Sequence, residues 1–192
     1  MASTPPGQRR QQILVALAEM LEQPKGEKIT TAALARKLEF SEAALYRHFA
    51  SKAQMFEGLI DFIETGVFGV INQIMEKQHS GVAQVRDIIG MLLQFSASNP
   101  GMTRVLTGDA LVGEDERLQH RMNQLHERIE LALRQALRLA TTEGYGHEDD
   151  IGARACVLLA YVVGRWHRYA KSGFKLDPTQ DTALHIALLL QV

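Results

Sequence analysis

The segment from Thr30 to Lys52, TTAALARKLEFSEAALYRHFASK, constrains the fold more than any other part of the chain. Its apolar residues recur at helical spacing in two short groups, about ten residues apart. The link around Glu39 and Phe40 is too short for anything but a tight turn. This pattern predicts two short helices over a small core. The expected core residues are Leu34, Ala35 and Leu38 in the first helix, and Ala44, Leu45 and Phe49 in the second.

Residues with side-chain oxygens precede both of these helices. Thr30 or Thr31 is placed to cap the first helix and Ser41 the second, because such an oxygen accepts a hydrogen bond from an unpaired backbone N–H group. Two short helices that cross steeply over a small core form a helix-turn-helix unit, whose second helix enters the major groove of DNA. The sequence therefore predicts an N-terminal helix-turn-helix DNA-binding domain.

The predicted DNA-contacting surface is the polar face of Ser41–His48 together with its flanking residues. Tyr46, Arg47, His48 and Lys52 carry groups that bond phosphate oxygens. The alternative is an ordinary helical hairpin with solvated polar residues, but apolar spacing, caps and phosphate donors all agree with DNA binding. The predicted DNA-binding residues are Thr30, Thr31, Ser41, Glu42, Ala44, Tyr46, Arg47, His48 and Lys52.

This segment resembles the DNA-binding end of TetR-family regulators. In that family a Thr opens the first helix of the unit, the letters LYRHF close the recognition helix, and a Ser-Lys pair opens the next helix. Leu45–Phe49 and the pair Ser51 and Lys52 match this pattern, as does Ser41. The resemblance implies a sequence-specific DNA-binding protein that acts as a homodimer on a palindromic double-stranded site.

The rest of the chain is similar to the nucleoid occlusion factors within the TetR family, over Met55–Glu64, Asn99–Leu111 and Arg117–Arg138. Members of that group bind DNA and also the cell-division protein FtsZ. The resemblance therefore implies FtsZ as a partner, and Phe62 matches the family in the groove of the fourth and fifth helices. Two segments of that groove, Gly66–Val70 and Met91–Ser98, lack the basic residues expected to face an acidic FtsZ tail.

Charge is distributed unevenly. The whole chain has a net charge of −1, yet residues 1–56 contain eight Lys or Arg against five Asp or Glu. A basic DNA-binding end on a mildly acidic body is typical of a sequence-specific repressor. Five arginines alternate with glutamates on the predicted seventh helix, and we interpret them as a solvated face with pairs four residues apart. These residues are Arg117, Arg121, Arg128, Arg134 and Arg138, with Glu114, Glu116, Glu127 and Glu130.

Motifs of catalysis are absent from the sequence. It contains no phosphate-binding glycine loop, no nucleophile elbow, no HExxH and no Cys pair with zinc spacing. The acidic residues beside His147 favour the start of a helix over a metal site. We therefore expect no enzyme activity, no metal and no cofactor.

The periodicity predicts an all-α protein of about nine helices, with a helix-turn-helix domain at residues 1–52 and a helical body for dimerisation and partner binding at 53–192. The first helix is expected at Gln8–Leu21, ended by Pro24 and Gly26. Later helices are expected at Lys52–Lys77, Val82–Ala97, Met102–Ala110, Glu116–Thr141, Asp149–Lys171 and Pro178–Gln191.

The last two predicted helices are apolar on nearly all sides, which indicates burial on more than one face. We interpret them as the dimer surface, and the alternative is a hairpin buried within one chain. Cys156 lies among apolar residues and is expected to be buried. Apolar runs such as Val157–Val163 are too short to span a membrane, and no leader sequence is apparent. The expected location is the cytoplasm, at the nucleoid.

Two functions remain from the sequence. The first is a nucleoid occlusion factor that antagonises FtsZ ring assembly when it is bound to DNA. The second is a ligand-responsive TetR-type transcriptional repressor, in which an apolar pocket of the body controls the spacing of the two DNA-binding ends. The groove around Phe62 distinguishes them, because only the first function requires it to bind a peptide.

Overall fold

The computed structural model describes residues 6–23 and 29–190, and these residues form nine α-helices and two short 3₁₀ turns. The prediction of an all-α fold is confirmed, whereas the expected stop at Pro24 and Gly26 lies outside the described residues. The helices are α1 (Pro6–Leu21), α2 (Thr31–Lys37), α3 (Glu42–Tyr46), α4 (Lys52–Lys77), α5 (Gly81–Ser98), α6 (Pro100–Leu106), α7 (Glu116–Thr142), α8 (Ile151–Lys171) and α9 (Thr182–Leu190).

Helix α1 connects the helix-turn-helix to the body through its contact with α6. A Cβ atom placed on Gly101 of α6 would lie 1.9 Å from the Ala18 carbonyl oxygen, so the two helices approach at a distance that only glycine permits. Three residues further along α6, the Arg104 guanidinium donates to the Leu21 carbonyl at 3.2 Å, where α1 ends. The close approach and this hydrogen bond fix α1 against the body.

Helix α4 packs beside α7, and ion pairs cross between them. Arg121 of α7 donates to Asp61 at 2.8 Å and to Glu64 at 3.1 Å, and the Asp61 hydrogen bond raises the pKa of Arg121 above its usual value. Arg117 reaches Glu57 in the same way, at 2.9 Å. Arg128 also reaches Glu64, at 3.5 Å. The expectation of pairs within α7 is therefore wrong for these three arginines, which bind α4, and holds for Arg134 with Glu130.

The core of the body lies between α5, α7 and α8. Trp166 is fully buried, and its indole N–H donates to the Leu92 carbonyl of α5 at 3.3 Å. His126 of α7 lies beside it, with 6.0 Å between ring centroids, and bonds the Leu106 carbonyl at 3.0 Å. Burial lowers the pKa of His126 below its ordinary value, against the opposing effect of that carbonyl, so burial favours the neutral ring.

One side of α8 and α9 is apolar yet exposed. Cys156 is exposed, so the prediction that it is buried is wrong for the single chain, because this side of α8 faces away from the core. Val157 beside it is also exposed, whereas Leu158 points inward and belongs to the core. The exposed residues of this side, which we call the α8–α9 face, are Ala153, Cys156, Val157, Ala160, Gly164, Leu184 and Leu188.

Two predicted helix boundaries differ from the structure by more than two residues. The sixth helix ends at Leu106, because Gly108 adopts a left-handed φ of 78° and starts a separate 3₁₀ turn at Asp109–Leu111. The last helix begins at Thr182 rather than at Pro178. The Arg165 guanidinium explains the second difference, since it bonds the carbonyls of Asp177, Pro178 and Gln180 and holds this segment as a loop.

Among the described residues, α4 is the one helix that is long and apolar enough to cross a membrane. Core helices of globular proteins share this length and composition. The apolar residues Leu59, Ile60 and Ile63 of α4 are fully buried. Three of its acidic residues, Glu57, Asp61 and Glu64, pair with α7. Helix α4 is therefore a core helix of this fold.

Candidate nucleic-acid interface

Side-chain caps fix the start of each helix at the DNA-binding end. Thr30 accepts from the Ala33 N–H at 3.1 Å, Ser41 from the Ala44 N–H at 3.2 Å, and Ser51 from the Gln54 N–H at 3.1 Å. Each bond satisfies an N–H group that the helix itself leaves unpaired. Of the two threonines that the sequence offered as the first cap, Thr30 is the cap and Thr31 is the first residue of α2.

The turn between α2 and α3 is as tight as the sequence predicted. Glu39 takes a left-handed φ of 57°, and the Phe40 N–H donates to the Ala35 carbonyl at 2.8 Å. Leu34 of α2 and Leu45 of α3 are fully buried beneath this turn. A small core and the Phe40–Ala35 hydrogen bond thus hold the helix-turn-helix geometry, while Glu39 adopts a backbone conformation that is uncommon for a residue with a side chain.

The predicted contact residues fall on one exposed end of the molecule. The side chains of Ser41, Glu42, Tyr46 and Arg47 are exposed, and His48 is half-buried. Ala44 is also half-buried, so it leaves space on the face of α3 without adding a polar group. The arrangement exposes one short helix that carries hydroxyl and guanidinium groups, which are groups suited to a groove of nucleic acid.

Three of these residues contact one another. Thr31 donates its hydroxyl proton to Glu42, and the Tyr46 hydroxyl lies 3.5 Å from the Thr31 oxygen. A glutamate on a DNA-facing helix repels phosphate, and this hydrogen bond holds its carboxylate against α2. Thr31 and Glu42 therefore orient α3 in addition to their predicted role as DNA contacts.

Arg10 also belongs to this end of the molecule, although it was not among the residues predicted from the sequence. Its guanidinium donates to the His48 carbonyl at 2.7 Å and lies 4.2 Å from the centre of the Phe49 ring. These contacts anchor the end of the recognition helix to α1. Arg10 and His48 are 38 residues apart, so no local spacing in the sequence indicates the pair.

Lys52 has a different environment from the other predicted contacts. It is the first residue of α4, and its ammonium forms an ion pair with Glu114 of the body. The same ammonium lies 5.6 Å from the centre of the Phe56 ring. Lys52, a predicted phosphate contact, thus already has a carboxylate of the body as its partner.

Phe62 lies away from the DNA-facing end, further along α4. Phe62 is 44 % exposed, so it is not a core residue. Gly66, four residues on, is exposed as well, and a Cβ there would only come within 4.0 Å of Phe95 on α5. Gly58 differs, since a Cβ there would lie 3.0 Å from the Phe49 ring, so this glycine serves packing against the helix-turn-helix.

Two family models match the chain. The model of bacterial regulatory proteins of the tetR family matches residues 13–59, which include the helix-turn-helix. A model of SlmA-like proteins, described as a tetracyclin repressor-like C-terminal domain, matches residues 77–191. The second match covers more than half of the chain and includes α5 to α9.

Curated relatives match nearly the whole chain. The nucleoid occlusion factor SlmA of Shewanella pealeana is 49% identical over 181 residues, which cover 94% of this chain and 92% of that protein. The protein of the same name from Vibrio atlanticus is 47% identical over 191 residues, covering 98% of this chain and 97% of its own. A third, from Photobacterium profundum, is 48% identical over 183 residues, with 94% and 93% covered.

Solved structures share the fold at low sequence identity. MbdR from Azoarcus superposes with a TM-score of 0.79 at 18% identity, over 94% of this chain and 96% of that one. The fatty acid degradation regulator FadR from Bacillus halodurans gives 0.78 at 15% identity, over 99% and 97%. The relatives are DNA-binding proteins rather than enzymes, in agreement with the sequence analysis. The two family models and the curated relatives show that the chain belongs to the SlmA branch of the TetR family of DNA-binding proteins, and its helix-turn-helix and helical body agree with this assignment.

Proposed function

We propose that the protein binds a palindromic DNA site as a homodimer and, when bound, antagonises FtsZ ring assembly over the nucleoid. The observation that carries this proposal is the identity of 47–49% with nucleoid occlusion factors across nearly the whole chain. In this proposal residues 1–52 bind DNA and residues 53–192 form the body for dimerisation and partner binding. The protein then works in the cytoplasm, at the nucleoid.

The α8–α9 face supports the dimer. Leu188 is 68 % exposed and Val157 is 52 % exposed, values that are unusual for side chains of this size unless a partner covers them. Ala153, Ala160 and Gly164 on the same side are small, so a second helix can approach α8 closely. A second copy packed on this face by two-fold symmetry forms a four-helix bundle.

Two-fold symmetry determines the form of the DNA site. A pair of α3 helices related by a two-fold axis reads the same bases in opposite directions, so the half-sites form a palindrome. Their spacing is about one helical turn of DNA, roughly 34 Å, or a little more. Lys52 and Tyr46 serve as phosphate contacts in this arrangement.

The surface between α4 and α5, which we call the α4–α5 groove, supports peptide binding. Phe62 and Val70 of α4 are exposed along it, and Met91 and Phe95 of α5 are half-buried. Gly66 between them has no side chain, so a peptide backbone has access to the helix. An exposed aromatic side chain beside such a position is suited to anchor a bound peptide.

The groove is apolar rather than basic. Gly66–Val70 and Met91–Ser98 contain neither Lys nor Arg, although both segments are described in full. A peptide held here gains affinity mainly from apolar contact, and such contact is insensitive to screening by salt. We therefore expect binding of the FtsZ tail to vary little with ionic strength, in contrast to DNA binding.

Sedimentation of FtsZ polymers tests the proposal. FtsZ assembled with GTP is pelleted alone, with the protein, and with the protein plus genomic fragments selected for binding to it. The proposal expects the protein–DNA complex to reduce the pelleted FtsZ more strongly than the protein without DNA. If the complex binds DNA but neither FtsZ nor its tail peptide, the ligand-responsive repressor becomes the better assignment.

A further inference from the structure

Lys52 and Glu114 form an ion pair between the DNA-binding end and the body. Lys52 is the first residue of α4, and Glu114 lies 62 residues later, in the loop before α7. The Lys52 side chain is 22% exposed and that of Glu114 is 11% exposed. Because both groups are largely shielded, this pair is screened by solvent less than the other lysine–carboxylate pairs of the described surface, Lys37–Glu19 and Lys171–Asp109.

The loop fixes the Glu114 carboxylate in its position. Gly113 adopts a left-handed φ of 75°, and the Glu114 N–H donates to the Leu111 carbonyl at 3.0 Å. Asp115 then caps α7 by accepting from the Arg117 N–H at 3.1 Å. Glu114 thus directly precedes the N-cap of α7, and negative charge is favoured near the N-terminus of a helix.

A carboxylate and a phosphate are ligands of the same kind for an ammonium group. Lys52 follows the Ser51 cap and lies at the same end of the molecule as Tyr46 and Arg47. We propose that Glu114 is an intramolecular competitor for the DNA phosphate at Lys52, so that binding of DNA displaces a carboxylate of the body. This inference depends on the assignment of Lys52 as a phosphate contact in the proposed function.

The competition has a definite sign. The wild-type protein must weaken the Lys52–Glu114 pair when it binds DNA, so removal of the Glu114 charge strengthens binding. The effect is equal for operator and unrelated DNA, because phosphate contacts carry no sequence information. In Glu114→Gln the shape is kept and the charge is lost, and we expect DNA binding about 3–10-fold tighter at low salt.

Four full-length proteins test the inference: wild type, Glu114→Gln, Lys52→Met and the double variant. Affinity for a random-sequence duplex is measured by fluorescence anisotropy between about 50 and 200 mM salt. We expect Glu114→Gln to bind more tightly, Lys52→Met more weakly, and the double variant to equal Lys52→Met. The inference is overturned if Glu114→Gln binds no tighter than wild type, or if the two substitutions act independently.

Further variants separate competition from a structural effect. Glu57→Gln removes another carboxylate of the α4–α7 contact, one that pairs with Arg117, and is expected to leave DNA affinity within about twofold. Glu114→Asp keeps the charge but shortens the side chain by one methylene group, which moves the carboxylate away from Lys52. The DNA affinity of this variant is therefore expected to lie between those of wild type and Glu114→Gln. Thermal melting identifies any variant that is unfolded. If Glu114→Asp binds DNA more tightly than Glu114→Gln, the competition is contradicted.

The same set of proteins distinguishes the inference from the DNA interface on which it rests. If Lys52→Met has no effect in the presence of Gln at position 114, Lys52 is not a phosphate contact and the assigned interface is wrong at this residue. If Lys52→Met weakens binding but Glu114→Gln does nothing, the interface stands and the competition alone is rejected.

Discussion

Thr31 of α2 donates its hydroxyl proton to the Glu42 carboxylate of α3, with 2.7 Å between the two oxygens. The bond joins the two helices of the helix-turn-helix at the surface predicted to face DNA. Both residues were predicted from sequence as DNA contacts, and their mutual hydrogen bond indicates that they also set the orientation of α3.

Thr31→Val keeps the shape of the side chain and removes the hydroxyl, so it tests this orientation. We expect weaker DNA binding with a loss of stability of about 1 kcal/mol or less, because the bond is exposed. Glu42→Ala removes the acceptor and serves as the second substitution in a double-mutant cycle. If the two substitutions act additively on DNA affinity, the hydrogen bond does not orient the helix.

The α8–α9 face predicts which leucines hold the dimer together. Leu188 is 68% exposed, whereas Leu158 is 1% exposed and belongs to the core, so of these two leucines only Leu188 is available to a second copy. Leu188→Glu is expected to give folded monomers in light scattering, with loss of specific DNA binding. Leu158→Glu is expected to unfold the chain, with a cost of several kcal/mol for a buried charge. A Leu188→Glu protein that remains dimeric contradicts the assignment of the face.

Phe62→Ala tests the α4–α5 groove. We expect FtsZ-tail binding to weaken by about 1–3 kcal/mol, while the dimer and its DNA affinity are unchanged. Tyr145→Ala is the matched control, because its ring is 46% exposed against 44% for Phe62 and lies in the loop before α8. Equal tail affinity for the two variants, measured by anisotropy, removes Phe62 from the binding surface.

Gly66→Ala separates helix stability from partner binding. The new Cβ would lie 4.0 Å from Phe95, an ordinary contact, so we expect α4 to gain about 0.5–1 kcal/mol of stability. The same methyl group narrows the groove, so tail affinity should fall although the protein is more stable. A stabilised protein with unchanged tail affinity places the peptide elsewhere.

His126 predicts how stability depends on pH. Burial lowers its pKa below the ordinary value of 6.5, the Leu106 carbonyl opposes this change, and His167 adds to it. The unfolded chain therefore takes up a proton as the pH falls through about 6.5, and the folded chain does so only at lower pH, so stability is lost below that value. Urea unfolding of His126→Asn between about pH 7.5 and 5.5 should show a smaller loss than wild type.

Local features were predictable because they depend on neighbouring residues. The caps Thr30, Ser41 and Ser51 each bond an N–H group three residues later, so their spacing is visible in the sequence. The helix-turn-helix follows from them and from apolar periodicity. The predicted DNA-binding residues form one surface for the same reason, although their individual contacts with DNA stay predictions.

Contacts between distant segments were not predictable in this way. Arg121 has glutamates on its own helix, yet it pairs with Asp61, 60 residues away, because α7 lies beside α4. The Lys52–Glu114 pair depends on the same packing. The exposure of Cys156 depends on which side of α8 faces the core. Because α8 is apolar on nearly all sides, its sequence does not indicate which side that is.

Helix α4 runs unbroken for 26 residues from Lys52 to Lys77, a length of about 39 Å. Its first turn carries Lys52, the predicted phosphate contact, and Phe62 lies about 15 Å further along the same axis. In the proposed function, a tilt of this helix that suits DNA also changes the groove, which couples the two ligands thermodynamically. Reciprocity then requires the FtsZ tail to tighten DNA binding by the same factor as DNA tightens tail binding. A divisome component that engages the protein would thereby hold it more firmly on the chromosome.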